Sequence, residues 1–151
     1  MTSPLPPDSS PWHAGEKQLQ ERAGVADRME VFGRRVIRDY MPDQHRDFYR
    51  QLPFVLLGSV DAEGRPWASI LEGPAGFAHS PEPRRLRLDS AFGAGDPAAD
   101  ALKDGAAVGL LGIELHTRRR NRLNGQVVGR DAQGLGIAVD QAFGNCPQYI
   151  Q

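Results

Sequence analysis

Twice this chain runs from an apolar strand-like segment through Asp-x-x-Gly and straight into another. Phe54-Val55-Leu56-Leu57-Gly58-Ser59-Val60 leads through Asp61-Ala62-Glu63-Gly64 into Arg65-Pro66-Trp67-Ala68-Ser69-Ile70-Leu71. Gln126 to Arg130 leads through Asp131-Ala132-Gln133-Gly134 into Leu135 to Asp140. Strand, Asp-containing turn with Gly at its end, strand is a hairpin signature, because Asp accepts from nearby backbone N–H groups and Gly tolerates the left-handed conformation. Pro66 has no N–H for a ladder, so it belongs at a strand start or a bulge. Two such hairpins in 151 residues point to a mainly β, single-domain chain.

The remaining segments fill in around them. Residues 1–14 are rich in Pro and Ser at their start and read as a flexible N-terminal tail, with the folded domain over 15–151. Gly15 to Ala23 favours a short helix, Asp27 to Tyr40 is partly helical, and a further helix runs over Gln44 to Gln51. Gly73 to Pro83 reads as a loop. Arg84 to Asp89 reads as a strand. Pro97 to Lys103 reads as a short helix capped by Asp96. Ala106 to Leu115 is another apolar strand, with Gly109 and Gly112 as bulges or close-contact sites. The expected fold is α+β, mainly β: six antiparallel strands closing as a small barrel, with short flanking helices.

Charge and composition remove several function classes. The net charge is -1, so nothing draws the whole chain to nucleic acid or an anionic membrane. One cysteine, Cys146, allows no intramolecular disulfide. No apolar run has transmembrane length, and the polar, Pro-rich start lacks signal-peptide features. The expected setting is cytoplasmic. The four histidines are scattered without metal-ligand spacing, and no metal site is expected.

Three segments carry candidate chemistry. Arg118-Arg119-Arg120-Asn121-Arg122 concentrates guanidiniums that match phosphate oxygens. Alternation along a strand puts Arg118, Arg120 and Arg122 on one face and Arg119 with Asn121 on the other. A charged strand edge that resists aggregation is the plainer explanation of the same run. The absence of interleaved aromatic residues argues against nucleic acid. Trp67 and Ser69 share a strand face, where a ring and a hydroxyl can flank a planar ligand, or where Trp67 simply packs in a core or an interface. Phe143-Gly144-Asn145-Cys146-Pro147-Gln148-Tyr149-Ile150 is dense in donors and rings, and its lone cysteine suits an inert buried group better than a nucleophile.

Taken together, these stretches resemble the pyridoxamine-phosphate-oxidase-related flavin-binding proteins. The resemblance rests on Arg38 to Arg46, Gly58 to Ser69, Gly109 to Glu114, Thr117 to Arg122 with Asn124-Gly125, and Phe143 to Ile150. It implies a six-stranded split barrel, usually a homodimer with two FMN sites at the interface. It further implies that the strand bearing Trp67, Ala68, Ser69 and Ile70 lies along the flavin, with Asp89 close by. Arg119, Asn121 and Arg122 would contact the phosphate or ring edge, and Asn145 and Cys146 the cofactor or substrate. The implied activity is that of an FMN-dependent oxidoreductase acting on a small molecule or served by an electron-donor reductase. The alternative is a non-catalytic flavin-binding or electron-relay module, as part of a longer reductase. The residues alone leave a deazaflavin or haem open beside FMN. The oxidase proper carries Arg and Lys in the flavin-facing strand and an Arg-Lys pair at the start of the short helix. This chain has Trp67-Ala68-Ser69 and Asp96-Pro97 there, which argues against pyridoxamine phosphate as substrate. The branch with this C-terminal motif often continues into ferredoxin-reductase-like and iron–sulfur domains, so the chain is expected to be either a stand-alone member or part of a longer protein.

Overall fold

The structure, a computed structural model, describes residues 10–93 and 95–145. Three helices come first: α1 (Ala14–Arg22), α2 (Ala26–Val36) and α3 (Asp43–Gln51). The sheet follows as β1 (Phe54–Val60), β2 (Pro66–Glu72), β3 (Ala78–Glu82) and β4 (Arg85–Leu88). A one-turn α4 (Ala98–Ala101) leads to β5 (Ala107–Glu114), β6 (Arg119–Asp131) and β7 (Gly134–Gly144). All pairings are antiparallel and the order is β2-β1-β5-β6-β7-β4-β3.

The sheet has seven strands where the sequence suggested six. The extra one is β3, which lies in the stretch expected to be a loop. It carries Pro81, and its pairing with β4 shifts register between His79 and Glu82. Proline is tolerated there because β3 is an edge strand with one side free of ladder partners. Among the described residues β2 and β3 do not pair with each other, so the barrel is split rather than closed by hydrogen bonds. The helices fall where expected, to within a few residues. Of the residues expected in a tail, Ser10 donates to Glu30 at 2.5 Å, the Trp12 indole donates to Met29 O at 2.9 Å, and His13 caps α1.

One face of every strand turns inward. Val55, Leu57, Leu71, Leu86, Leu88, Leu110, Leu123, Val127, Leu135 and Ile137 form a single core, capped by Phe48 and Tyr49 of α3 and by Leu52 just after it. Gly112 is bare so that α3 can seat against β5: a β-carbon there would lie 2.7 Å from Tyr49 and 2.9 Å from Leu52. The Tyr49 hydroxyl then donates to Asn121 O at 3.1 Å, which fixes the helix to β6.

The two Asp turns share one device and differ in another. Asp61 Oδ1 accepts from the Glu63 and Arg65 amides, and Asp131 Oδ1 from the Gln133 and Gly134 amides. Gly64 takes the left-handed conformation expected of it, at φ 80. Gly134 does not. It is needed for closeness, because a β-carbon would stand 1.9 Å from Leu88 O.

The long β6–β7 hairpin bends where its register shifts between Asn124 and Gly125. A β-carbon on Gly125 would sit 2.0 Å from Ala138 O. Gly125→Ala therefore forces two backbones apart and should cost about 3 kcal/mol, the upper end of overpacking penalties. Urea denaturation will measure this, and a midpoint equal to that of the parent chain would contradict it.

Candidate functional site

Alternation gives the sheet a second, outward face that the core does not use. Two rows cross five strands on it. Register pairs place Ile70, Leu56, Leu111, Arg122 and Phe143 in one row. They place Ala68, Gly58, Gly109, Asn124 and Gln141 in the other. The first row begins as an apolar ridge, with Ile70 64% exposed. The second begins as a floor with no side chain larger than a methyl. A β-carbon on Gly58 or Gly109 would meet nothing nearer than 3.5 Å, so the trough above the floor is open. Val60, also well exposed, stands beside it on β1.

The polar end of the trough is built on β6 and β7. Arg122 Nε donates to Asn145 Oδ1 at 3.0 Å, and Asn124 Nδ2 to Gln141 Oε1 at 3.0 Å. Gln141 Nε2 also reaches Pro11 O at 3.4 Å. Arg120, on the same face by alternation, has a buried Nε without a partner. An apolar floor that ends in guanidinium and amide groups suits a flat ligand with a polar or anionic end.

The sequence-predicted residues are divided between the two faces. Ala68, Ile70, Arg122 and Asn145 meet at the trough. Trp67 and Ser69 do share a face, but it is the inner one: Ser69 is buried opposite Leu57. The Trp67 indole N–H donates to Asp61 Oδ2 at 2.8 Å. That hydrogen bond, with the Arg65 contacts, holds the Asp61 carboxyl well below the usual carboxylate range. Trp67 thus locks the β1–β2 turn. Asp89 is clipped between Arg87 at 2.9 Å and His79 at 3.5 Å. Its loop reaches β2 through the Ser90 hydroxyl, which donates to Glu72 O. Cys146 lies outside the described residues. Arg118 is in a turn with φ 60 rather than on the strand. Arg119 and Asn121 point inward, as alternation from Arg120 and Arg122 requires. Among the described residues no group of three or more metal-ligating side chains converges, and no helix is long and apolar enough to cross a membrane.

The sequence profile of the pyridoxamine 5'-phosphate oxidase family matches residues 41–146. The chain belongs to the pyridoxamine 5'-phosphate oxidase family. The match spans the whole sheet and includes the strand residues that line the trough. Solved structures share the fold. A candidate pyridoxamine 5'-phosphate oxidase from Lactobacillus delbrueckii is 13% identical, at a TM-score of 0.51 over 70% of this chain and 95% of its own. HupZ from Group A Streptococcus is 12% identical, at 0.53 over 69% and 93%. No curated protein sequence matches the chain.

Sequence reasoning singled out the arginine cluster but gave no role to His45, which lies on α3 and is only 8% exposed. Its burial, with the charges of Arg38 and Arg119 close by, holds the imidazole below the ordinary histidine value of 6.5. The folded chain keeps His45 neutral, whereas the unfolded chain takes up its proton near the ordinary value. The stability this confers is complete above about pH 6.5 and is lost as pH falls from there through the folded value. Thermal unfolding followed from pH 7.5 to 5 is therefore expected to lose less stability in His45→Gln than in the parent chain. Parallel curves would show that His45 is not responsible.

Proposed function

We propose that this chain is an FMN-dependent oxidoreductase that holds its flavin against the outward trough at the face of a homodimer. The observation that carries this reading is the Ala68–Gly58–Gly109 floor. Three adjacent strands present bare backbone, or a single methyl, along one row. A planar ring can lie flat there only because no β-carbon beyond that of Ala68 intervenes. Family membership supports flavin as the group, and the donor set fits it. Arg122 offers charge-assisted hydrogen bonds to a phosphate or to the ring's polar edge, and Arg120 adds positive charge on the same face.

Flavin when bound supplies hydride or electron transfer. The protein's part is binding and orientation. Ile70, Leu56 and Leu111 form an apolar wall that excludes water from one side of the floor. Asn124, fixed by Gln141, and Arg122, fixed by Asn145, supply donors in set positions at its end. The two rows contain no carboxylate, histidine or thiol, so neither provides a general acid or base. This also favours electron relay to a reductase partner as the second reading. The exposed Ile70 and Val60 are apolar surface that a second copy of the chain would cover.

The visible spectrum of the purified chain with added FMN tests the reading, through flavin bands and quenched fluorescence on binding. Gly58→Val and Gly109→Val fill the floor without disturbing the core, so each should weaken FMN by at least about tenfold, the scale of one lost well-placed contact. Arg122→Ala should do the same, while Arg119→Ala, on the other face, should leave FMN affinity unchanged. Failure of the parent chain to bind FMN, or unaltered affinity in both valine variants, would overturn the proposal.

A further inference from the structure

Behind β6, on the side away from the trough, four donor-bearing side chains from three segments meet at one end of the barrel. Arg38 pairs backbone to backbone with Ala142, at 3.1 and 2.7 Å. Directly opposite residues share a face, so Arg38 lies on the inner side with Ala142. Arg119 is held by α3: its guanidinium lies 4.7 Å from the centre of the Phe48 ring and donates to Gln44 O at 3.2 Å. The charges of Arg38 and Arg119 both act on His45. Asn121, 3% exposed, stands on the next inward position of β6.

Two features make this cluster a site rather than packing. First, its buried nitrogens are unsatisfied: neither His45 Nδ1 nor Asn121 Nδ2 has a partner. Second, Gly144 lies directly opposite Asn121 and leaves a gap. A β-carbon there would stand 3.4 Å from Asn121 Oδ1 and 4.0 Å from His45 Nε2, so the Asn121 amide presents its Nδ2 donor to this opening once it turns over about its Cβ–Cγ bond. Gly144 is itself exposed, at the rim of this buried pair.

The cluster also carries more positive than negative charge. Among the described residues no carboxylate forms an ion pair with Arg38 or Arg119. Glu114, opposite Arg119 on the ladder, accepts from Gln51 Nε2 at 2.8 Å and from the Thr117 hydroxyl, so it offsets part of the positive charge without forming an ion pair with Arg119. Two guanidiniums beside a neutral imidazole and a buried amide repel each other and leave donors unmet, at a cost in stability. A group bearing negative oxygens relieves both faults together, and arginine forks match such groups in shape as well as charge.

We propose that the notch bounded by Arg38, His45, Arg119, Asn121 and Gly144 binds a small oxyanion, the carboxylate or phosphate group of a ligand that enters past Gly144. The site lies across the sheet from the trough, so its occupant is distinct from the flavin and the inference does not depend on flavin binding. It also gives Arg119 and Asn121 a shared role that the outward face cannot.

The test is a nitrogen-edited NMR titration of the full chain in Bis-Tris chloride with sodium phosphate, with sodium acetate, and with sodium chloride as the ionic-strength control. Saturable shifts of the Asn121 side-chain amide, the His45 ring and the Gly144 amide are expected with at least one of the two oxyanions and not with chloride. Tighter phosphate binding would assign a phosphate ligand, and tighter acetate binding a carboxylate. Gly144→Val, which plugs the notch, and Arg119→Gln should each weaken binding by at least about tenfold. Arg38→Gln, at a half-exposed position, serves if either variant fails to fold. FMN affinity, measured on the same variants, is expected to stay as in the parent chain. Linear shifts that match those of chloride, or saturation unchanged in the folded variants, would overturn the proposal.

Discussion

The β6–β7 hairpin is what the rest of the molecule depends on. It is the longest pairing in the sheet and joins β5 on one side to β4 on the other. Its bend rests on a close approach of two backbones at Gly125, which no side chain can occupy. The inward residues of the strands on either side share one core with those of the hairpin, and Phe48 and Tyr49 of α3, with Leu52 just after it, close one end of that core.

The hairpin also sorts the chemistry. Along β6 the inward residues Arg119, Asn121 and Leu123 alternate with the outward Arg120, Arg122 and Asn124. Guanidiniums adjacent in the chain are therefore separated by the thickness of the sheet. One basic run thus places donors on both faces of the sheet, in different surroundings. The outward donors terminate a shallow apolar floor, in keeping with a flat ligand. The inward donors sit beneath a helix among unsatisfied nitrogens, in keeping with a compact anion. The glycines divide in the same way: Gly58 and Gly109 clear a surface, Gly144 opens a notch, and Gly112 and Gly125 allow close packing.

Much of this was legible in the chain. The repeated Asp turn marked both hairpins because carboxylate-to-amide bonds and a glycine are local needs that leave a local signature. The helices were visible from the same kind of signal. β3 was not, since Pro81 and the surrounding glycine and prolines spell a loop, and only an edge position makes such a segment a strand. His45 gave no signal at all, because a single histidine on an otherwise charged helix resembles a solvated face until the helix is docked.

The sequence by itself determined the class of fold, the family resemblance and the pairing of residues onto faces: Trp67 with Ser69, and Arg119 with Asn121. Those follow from strand alternation, which depends only on position along the chain. The tertiary structure alone decided which of the two faces is buried, and hence that Ser69 lies in the interior while Ala68 and Ile70 line the trough. It also decided that Arg38, His45, Asn121 and Gly144 meet. Such convergence depends on how α3 and the end of β7 are brought together by packing, a long-range event with no counterpart in local sequence.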